Sequence, residues 1–412
     1  MRIIKKIVGF IIYKFTPIKK GVFVFSSFGG HYSDNPKYIS MELYNSYPDI
    51  KQVWLLKKEY YENTPTYITK VDIDSLDAFY WRGKAEVIID NVYGGREISV
   101  TEYSLVSKIK IRLLMLLTNK KKQPVVTNFH GSAFKYAGRD IIGTNQKNFI
   151  CPNTYLLLQN DFSCNVYEHL TFGNVPIQLI GYPRNDILFD SSVDKYKLKE
   201  KLGISPNKKV ILLAPTFRSD SQDGLGEKNI YRSGINQLNS FDFPSLFATL
   251  QSKFGGEWTL VCRFHYHVEK MIDWNKIYDK YDGQITRGNL GDDMAEYLAI
   301  SDILLTDASS SMFDFAVTNR PCILYFLDWK EYGSKERGFY IPIEELPFPL
   351  ASNYTELQRI LWNWKEDEYK TKIENMKERL GYVDDGNAAK KNVDYIIGKK
   401  WINAKKGYKK ME

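Results

Sequence analysis

The side chains best suited to acid–base chemistry in this chain are its five histidines. His130 follows the apolar segment 124–129 and precedes Gly131, a residue type that lets a substrate or a backbone approach closely. Ligands of open α/β sheets bind at the carboxyl ends of strands, and a histidine there titrates near neutral pH, which suits a general base. A structural histidine is the alternative interpretation.

A second cationic cluster ends another apolar segment. Arg263 and His265 are two residues apart, so on an extended strand both side chains point to one face, which His267 would continue. Cations at a strand end suit a pyrophosphate, because charge-assisted hydrogen bonds to phosphate are strong. An ordinary half-exposed strand face is the alternative.

A serine-rich turn follows a third apolar segment. The run Thr306-Asp-Ala-Ser-Ser-Ser311 leads into a helix predicted over 310–318. Helix N-termini bind anions through free N–H groups and the helix dipole, so the run predicts a phosphate site. A plain N-cap is the alternative.

Two shorter motifs place polar groups after strands. Thr216 and Arg218 close the strand predicted over 209–214 with a hydroxyl and a guanidinium. Arg184 and Asp186 end the first half of the chain, where they belong either to the site or to a structural ion pair at a hinge.

Alternating elements must position these groups. Short apolar, β-branched runs recur between helix-like stretches, and several lack polar alternation, as strands buried on both faces do. This alternation predicts the α/β class with doubly wound parallel sheets. The predicted strands are 22–26, 52–56, 86–90, 124–129, 155–159, 177–180, 209–214, 259–264, 303–306 and 322–326.

At 412 residues the chain exceeds one ordinary domain, since roughly 150 residues per domain predicts two or three. We predict two Rossmann-like halves that face a cleft, with a break near 190–208. A final charged helical pattern near 355–400 is expected to pack back on the first half. The predicted divisions are 1–20, 21–195, 196–370 and 371–412.

The net charge of +8 is unevenly distributed. Three segments, 1–20, 108–122 and 399–412, carry 18 basic residues and one acidic residue, a net charge of +17. The rest of the chain therefore carries −9. This pattern indicates an acidic globular body with three basic segments.

The first segment has the pattern of a basic amphipathic helix. At about 100° per residue, one side is basic or small and the opposite side is apolar. The first side holds Arg2, Lys5, Lys6, Gly9 and Tyr13. The apolar side holds Ile4, Ile7, Val8, Ile11, Ile12 and Phe15.

This helix predicts contact with an anionic membrane surface. Its apolar run is far shorter than the ~20 residues that span a bilayer, and no cleavage site of a signal peptide follows it. The segment 108–122 is expected to lie at a membrane interface in the same way. Zinc, RNP-type and arginine-rich patterns are missing from the sequence, which argues against nucleic acid. Solvated surface segments are the alternative.

The four cysteines, Cys151, Cys164, Cys262 and Cys322, form no Cys-x-x-Cys pair. They predict neither a disulfide framework nor a zinc site. The sequence also lacks a P-loop and a nucleophile elbow, and no metal-binding cluster is predicted.

The ordered motifs resemble one family over roughly residues 20–345, the CDP-glycerol:glycerophosphotransferase family of teichoic acid primases and polymerases. Phe129 stands where tryptophan is more usual in that family, and Tyr266 stands where proline is expected. The motifs are Ser26-Ser-Phe-Gly-Gly-His-Tyr-Ser-Asp-Asn-Pro-Lys37, Phe129-His-Gly-Ser-Ala-Phe-Lys135, Gly181-Tyr-Pro-Arg-Asn-Asp186, Ala214-Pro-Thr-Phe-Arg218, Arg263-Phe-His265, Thr306-Asp-Ala-Ser-Ser-Ser-Met-Phe-Asp314, Pro321-Cys-Ile-Leu-Tyr325 and Asp328.

The resemblance implies a GT-B fold in which the first Rossmann-like domain receives a membrane-bound acceptor and the second holds CDP-glycerol. It implies transfer of glycerol phosphate to a hydroxyl of an undecaprenyl-linked carrier, with release of CMP, at the cytoplasmic face of the bacterial plasma membrane. No cofactor is required in this interpretation, and Mg²⁺ bound through the substrate stays open.

The resemblance also assigns site residues. His130 is expected to be the base and His265 to contact the donor phosphate. The expected donor-binding residues are Thr216, Arg218, Arg263, Asp307, Ser309, Ser310 and Asp314. The expected acceptor or cleft residues are Asp34, Asn35, Gly131, Lys135, Arg184 and Asp186.

Several alternatives stay open at this point. They are a CDP-ribitol donor, a GT-B glycosyltransferase that uses a nucleotide sugar, and a peripheral membrane scaffold without activity. Primase and polymerase activity are not distinguished, nor are teichoic acid and capsule polymers. A chain without an added N-terminal domain mildly favours a compact, primase-like enzyme.

Overall fold

The computed structural model describes most of the chain. His265, the basic segment 108–122 and residues 400–412 of the basic tail lie outside the described residues, so predictions on them stay predictions. The described residues are 2–92, 123–141, 154–171, 173–216, 218, 235–264, 266–269, 272–281, 283–289, 291–332 and 338–399.

The chain divides into two compact units, each formed by separate stretches of sequence. It passes from unit 1 to unit 2 directly after His130 and again directly after Asp186. Unit 1 comprises Met1–His130, Gln146–Asp186 and Val383–Glu412. Unit 2 comprises Gly131–Asn145 and Ile187–Tyr382.

Strands and helices alternate through the described residues. The strands are β1 (Val22–Ser26), β2 (Lys51–Leu56), β3 (Thr69–Asp72), β4 (Val87–Asp90), β5 (Val125–Thr127), β6 (Thr154–Leu158), β7 (Ile177–Leu179), β8 (Lys209–Leu213), β9 (Trp258–Cys262), β10 (Ile285–Arg287), β11 (Ile303–Thr306), β12 (Cys322–Tyr325) and β13 (Leu350–Ala351). The helices are α1 (Arg2–Phe15), α2 (Asp34–Ser46), α3 (Leu76–Lys84), α4 (Asp161–Thr171), α5 (Asp186–Phe189), α6 (Lys195–Lys201), α7 (Phe243–Phe254), α8 (Tyr266–Glu269), α9 (Trp274–Tyr281), α10 (Met294–Ile300), α11 (Ser311–Ala316), α12 (Trp329–Glu331), α13 (Tyr354–Trp362), α14 (Glu366–Leu380) and α15 (Ala388–Gly398).

Unit 1 is built on a parallel sheet with the order β3-β2-β1-β4-β5-β6-β7 among the described strands. Every residue of β1 and β4 is buried, because helices cover both faces of the sheet. Phe25, Trp54 and Ile89 pack on the side of α2 and α15, and Val24 and Val53 pack on the side of α3. The C-terminal helix α15 therefore lies in unit 1, whereas α13 and α14, which belong to the same predicted pattern near 355–400, lie in unit 2.

Unit 2 is built on a second parallel sheet with the order β10-β9-β8-β11-β12-β13 among the described strands. Its central strands are also apolar and buried. The strand order reverses between β8 and β11, as it does between β1 and β4 in unit 1. Such switch points are where open α/β sheets bind ligands, at the carboxyl ends of the strands.

All ten predicted strands are present, and their ends lie within two residues of the predicted ends. Strands β3, β10 and β13, which lie at sheet edges, are not among the strands predicted from the sequence. These strands are short, and β3 and β10 each bury a single residue, because an edge strand faces solvent on one side. They consequently lack the continuous apolar run that marked the other strands.

Helix α1 packs on α3 through small residues. A Cβ atom added to Gly9 would lie 2.5 Å from the Phe79 ring, and one added to Gly83 would lie 2.8 Å from the carbonyl oxygen of Tyr13. The Tyr13 hydroxyl donates to Gln123 Oε1 over 2.8 Å. The small side of the amphipathic helix therefore faces the protein. None of the described helices is long and apolar enough to cross a membrane.

Asp186, an expected site residue, caps helix α15. Its two carboxylate oxygens accept the N–H groups of Ala388 and Ala389 over 2.9 and 2.7 Å. Burial raises the pKa of Asp186 from 3.8 to about 6, although the two N–H groups oppose the shift. The nearby Arg184 donates to Asp34 Oδ1 over 2.9 Å.

We predict that the contribution of Asp186 to the free energy of unfolding decreases as pH rises from about 4 to about 6. Because its pKa is higher in the folded state, folding favours the neutral acid, and this contribution is lost as pH rises through the folded value of about 6. Asp186→Asn should therefore become more stable relative to the unmodified protein as pH rises from 4 to 7 in urea titrations.

The matched control is Asp194→Asn at the exposed N-cap of α6. Hydrogen bonds, chiefly from the Lys197 N–H, lower the pKa of Asp194, so its contribution is lost as pH falls and the control should show the opposite slope. Parallel pH–stability curves for Asp186→Asn and the unmodified protein would contradict the prediction.

Candidate active site

His130 stands at the carboxyl edge of the unit 1 sheet, shortly after β5. Its side chain is exposed, and its ring lies against Phe28 with the ring centroids 6.3 Å apart and the planes at 28°. The N–H of His130 donates to the carbonyl of Asn91 over 3.1 Å, and His130 Nδ1 lies 3.3 Å from the same oxygen. The imidazole is thus presented at the sheet edge where a ligand is expected.

Asn35 fixes the residue before the histidine. Its Nδ2 donates to the carbonyl of Phe129 over 3.1 Å, and its Oδ1 accepts the N–H of Arg184 over 3.1 Å. Arg184 also pairs with Asp34, which has a positive φ of 62° that is uncommon outside glycine. Asn35 and Arg184 are buried, so this network supports the histidine loop from within unit 1.

Gly131 and Lys135 were expected to contact the acceptor, and both lie in unit 2. A Cβ atom at Gly131 would fall 2.0 Å from Ser310 Oγ, so the glycine permits close approach to the serine-rich turn. Lys135 forms an isolated antiparallel bridge with Phe339, and Phe134 packs against Phe313 in α11. The segment after His130 thus packs against the serine-rich turn and α11.

The serine-rich turn after β11 is joined to the end of β8. Asp307 Oδ1 accepts the N–H of Thr216 over 2.6 Å, and Thr306 Oγ1 donates to the carbonyl of Ala214 over 2.7 Å. The hydroxyl of Thr216 is buried and has no hydrogen-bond partner among the described residues. Ser310 precedes α11 without capping it through its side chain.

The hydroxyls of the turn contact each other. Ser309 Oγ lies 2.9 Å from Ser311 Oγ and accepts the N–H of Ser311 over 3.3 Å. Asp314, one helical turn further on, is buried in α11. The expected donor-binding residues Thr216, Asp307, Ser309 and Ser310 therefore lie on two adjacent strand ends of unit 2.

Arg218 is buried between two carboxylates. Its Nη2 lies 2.9 Å from Asp307 Oδ2 and donates to Asp328 Oδ1 over 2.8 Å, while its Nε donates to Asp328 Oδ2 over 3.0 Å. Its guanidinium also lies 4.6 Å from the ring centroid of Tyr332. Burial alone would lower the pKa of Arg218, but Asp307 and Asp328 raise it further than burial lowers it. The carboxylates of Asp307 and Asp328 therefore offset the positive charge of Arg218, and the guanidinium holds Asp307 in place.

Arg263 lies at the end of β9, where its partner His265 falls outside the described residues. Its Nη2 donates to the carbonyl of Asp292 over 3.1 Å, and its guanidinium stacks on Tyr297 at 5.6 Å. Burial lowers the pKa of Arg263, and the neighbouring Tyr297 and Asp292 oppose that shift. In the described part of the chain, no group of His, Cys, Asp or Glu residues is arranged to hold a metal ion.

The sequence model of the CDP-glycerol:poly(glycerophosphate) glycerophosphotransferase family matches residues 9–398. The chain belongs to this family. The predicted resemblance is thereby confirmed, and it covers more of the chain than the motifs alone indicated.

Characterised family members of staphylococci and bacilli are similar to the chain. It is 28% identical over 399 residues to the teichoic acid poly(glycerol phosphate) polymerase of Staphylococcus epidermidis, covering 92% of this chain and 51% of that protein. It is 30% identical over 362 residues to the teichoic acid glycerol-phosphate transferase of Staphylococcus aureus, covering 82% of each. The chain spans about half the length of the poly(glycerol phosphate) polymerases of Staphylococcus epidermidis and Bacillus subtilis.

Solved structures of the wall teichoic acid polymerase TagF share this fold. A variant of TagF superposes with a TM-score of 0.73 at 26% identity, covering 95% of this chain and 92% of that chain. A UDP-GlcNAc 2-epimerase of Methanocaldococcus jannaschii shares the fold alone, with a TM-score of 0.52 at 12% identity. The predicted fold class, a GT-B-like α/β fold with two Rossmann-type sheets, is confirmed.

We predict that Arg218→Met destabilises unit 2 by about 3–5 kcal/mol, because it leaves the buried Asp307 without its counter-charge. Urea unfolding followed by tryptophan fluorescence measures this effect.

Arg359→Met is the matched control, because it removes an exposed arginine from α13 of the same unit. Its effect on stability should stay within about 0.5 kcal/mol. Equal stability of the two variants would show that the ion pairs of Arg218 contribute nothing net.

Proposed function

We propose that this protein transfers glycerol phosphate from CDP-glycerol to a hydroxyl of a lipid-linked teichoic acid or related acceptor and releases CMP. The observation that carries the proposal is family membership combined with His130 exposed at the carboxyl edge of the unit 1 sheet. A structure of a TagF variant soaked with CDPG supports the choice of donor, since it superposes on this chain with a TM-score of 0.72 at 25% identity.

In the proposed reaction His130 is the general base. It takes the proton from the acceptor hydroxyl as the oxygen attacks the β-phosphorus of CDP-glycerol, and the bond from that phosphorus to the CMP oxygen breaks. Such phosphoryl transfer depends on positioning and on stabilising charge on the phosphoryl oxygens. His265 stays a predicted contact of the donor phosphate.

The donor phosphates are proposed to bind unit 2 at the ends of β8 and β11. The unpartnered Thr216 hydroxyl and the hydroxyls of Ser309 and Ser310 supply donors for phosphate oxygens. Arg263 supplies positive charge, whereas Arg218 acts by holding Asp307 rather than by touching phosphate. No cofactor is required in the proposed reaction, and Mg²⁺ bound through the substrate stays open.

We predict that CDP-glycerol supports turnover with release of CMP, and that His130→Ala lowers kcat by about 10²–10⁴-fold, the usual contribution of a general base. Mass analysis of products formed on a synthetic lipid-linked acceptor measures both the rate and the added unit. CDP-ribitol and UDP-sugars serve as competing donors.

Each alternative has its own outcome. Turnover with UDP-sugars alone would identify a glycosyltransferase, and turnover with CDP-ribitol alone would identify a ribitol-phosphate transferase. Full activity of His130→Ala, with an unchanged melting temperature, would remove the histidine from the mechanism. The number of units added per acceptor distinguishes a primase from a polymerase.

We also propose that α1 binds the membrane surface that holds the acceptor. The apolar side of α1 is exposed, with Ile7 48%, Ile11 51% and Phe15 67% accessible. Lys5 is exposed beside it, whereas Lys14 is buried against Phe10 and Tyr13, and burial lowers its pKa to about 8. A helix that presents apolar and basic side chains together suits an anionic interface.

We predict that Ile7→Glu combined with Ile11→Glu weakens binding to anionic vesicles by at least roughly tenfold. Burying one such side chain is worth about 1.5–3 kcal/mol, and 1.4 kcal/mol corresponds to a factor of ten. Vesicle co-sedimentation measures the loss, and added salt should weaken the electrostatic part.

Trp362→Glu is the control, because Trp362 is an exposed apolar residue of α13, 59% accessible. It should leave vesicle binding unchanged. Binding that is equally reduced by both changes, or by neither, would contradict the role of α1.

A further inference from the structure

Asn91 joins the ends of three parallel strands in unit 1. It follows β4, and its Oδ1 accepts the N–H of Phe28 over 3.0 Å while its Nδ2 donates to Ser27 Oγ over 3.2 Å, both just after β1. Its own carbonyl receives the N–H of His130, just after β5. Asn91 is fully buried, so these contacts are shielded from water. Asn91 is not among the site residues predicted from the sequence.

The carbonyl of Asn91 lies 3.3 Å from Nδ1 of His130, and a carbonyl oxygen only accepts hydrogen bonds. This contact therefore favours the neutral imidazole that is protonated on Nδ1 and carries its lone pair on Nε2. A general base needs this lone pair in a fixed direction.

We propose that Asn91 is a positioning residue for His130. Its carbonyl selects the Nδ1–H tautomer, and its side-chain amide fixes that carbonyl to the turn after β1. The same turn carries Phe28, whose ring lies against the imidazole. This inference rests on the proposed function, because it requires His130 to be the base.

The turn after β1 requires an amide at position 91. Gly29 and Gly30 have φ values of 68° and 75°, so the chain folds back sharply and leaves the Phe28 N–H directed at Asn91. Asparagine offers one acceptor and one donor group, which match the Phe28 N–H and Ser27 Oγ. Aspartate retains the acceptor and adds a negative charge, whereas alanine removes both the acceptor and the donor.

The first test is Asn91→Ala, assayed with CDP-glycerol and a synthetic lipid-linked acceptor. The kcat should fall about 10- to 100-fold, which is the usual loss when the hydrogen-bond partner that orients a metal-binding histidine is removed. The KM for CDP-glycerol should stay within about twofold, because the donor phosphates are proposed to bind unit 2.

The second test is Asn91→Asp, which places a carboxylate on the residue whose carbonyl contacts His130, next to the buried Asp90 that accepts a hydrogen bond from Thr127. A nearby negative charge favours the imidazolium, so the acidic limb of the pH profile of kcat/KM should move to higher pH. A merely structural role of Asn91 would leave that limb in place.

Gln123→Ala is the matched control for stability. Gln123 is a buried amide before β5, at the opposite edge of the same sheet, with hydrogen bonds to Tyr13, Arg82 and Ala85. It should lower the melting temperature while kcat stays within about twofold, since it touches no proposed catalytic group.

His130→Asn separates this inference from the proposed function. If His130→Asn abolishes turnover while Asn91→Ala keeps the kcat of Gln123→Ala, the inference is overturned and the base remains. If His130→Asn retains full turnover, both are overturned. A loss of kcat in Asn91→Ala with a shifted limb in Asn91→Asp supports the inference.

Discussion

Both sheets depend on one constraint, which is that every described strand pair runs parallel. Parallel strands end at a common edge, and backbone groups beyond the last ladder bond must find other partners. Side chains supply them here. Asn35 donates a hydrogen bond to the carbonyl of Phe129, and Asp307 accepts one from the N–H of Thr216. The side chains that hydrogen-bond the backbone at the strand ends are therefore the ones that hold the candidate site residues in place.

The two units meet this constraint with different chemistry. Unit 1 contacts the histidine loop through the buried amides of Asn35 and Asn91, and the ion pair of Arg184 with Asp34 lies behind Asn35. Unit 2 uses the ion pair between Arg218 and Asp307, in which the positive charge is largely offset. A donor pyrophosphate in unit 2 would therefore depend on hydroxyls, backbone N–H groups and Arg263 more than on Arg218.

Local sequence patterns predicted the fold because buried strands are apolar regardless of their partners. They failed at β3, β10 and β13, short edge strands without a continuous apolar run, whereas the edge strand β7 is more apolar and was predicted. They predicted that His130 and Thr216 follow strands, and both lie three residues beyond the ends of β5 and β8. They could not show that Arg218 meets Asp328, 110 residues away, or that Asn91 meets His130, because these contacts exist only after the sheets assemble. Pairs of polar residues after different strands are the one sequence signal that pointed to such contacts.

Helix α1 shows how a correct pattern still leaves orientation open. An amphipathic helix on a soluble protein normally buries its apolar side. Here glycine at positions 9 and 83 lets α1 and α3 approach closely, so the small side is buried and the apolar side stays outward. Exposed apolar area of this kind is unfavourable in water and favourable at a bilayer interface. Gly9 and Gly83 thus determine which side of α1 stays exposed. The sequence signal for this orientation is the small size of the two residues rather than the hydrophobicity of the helix.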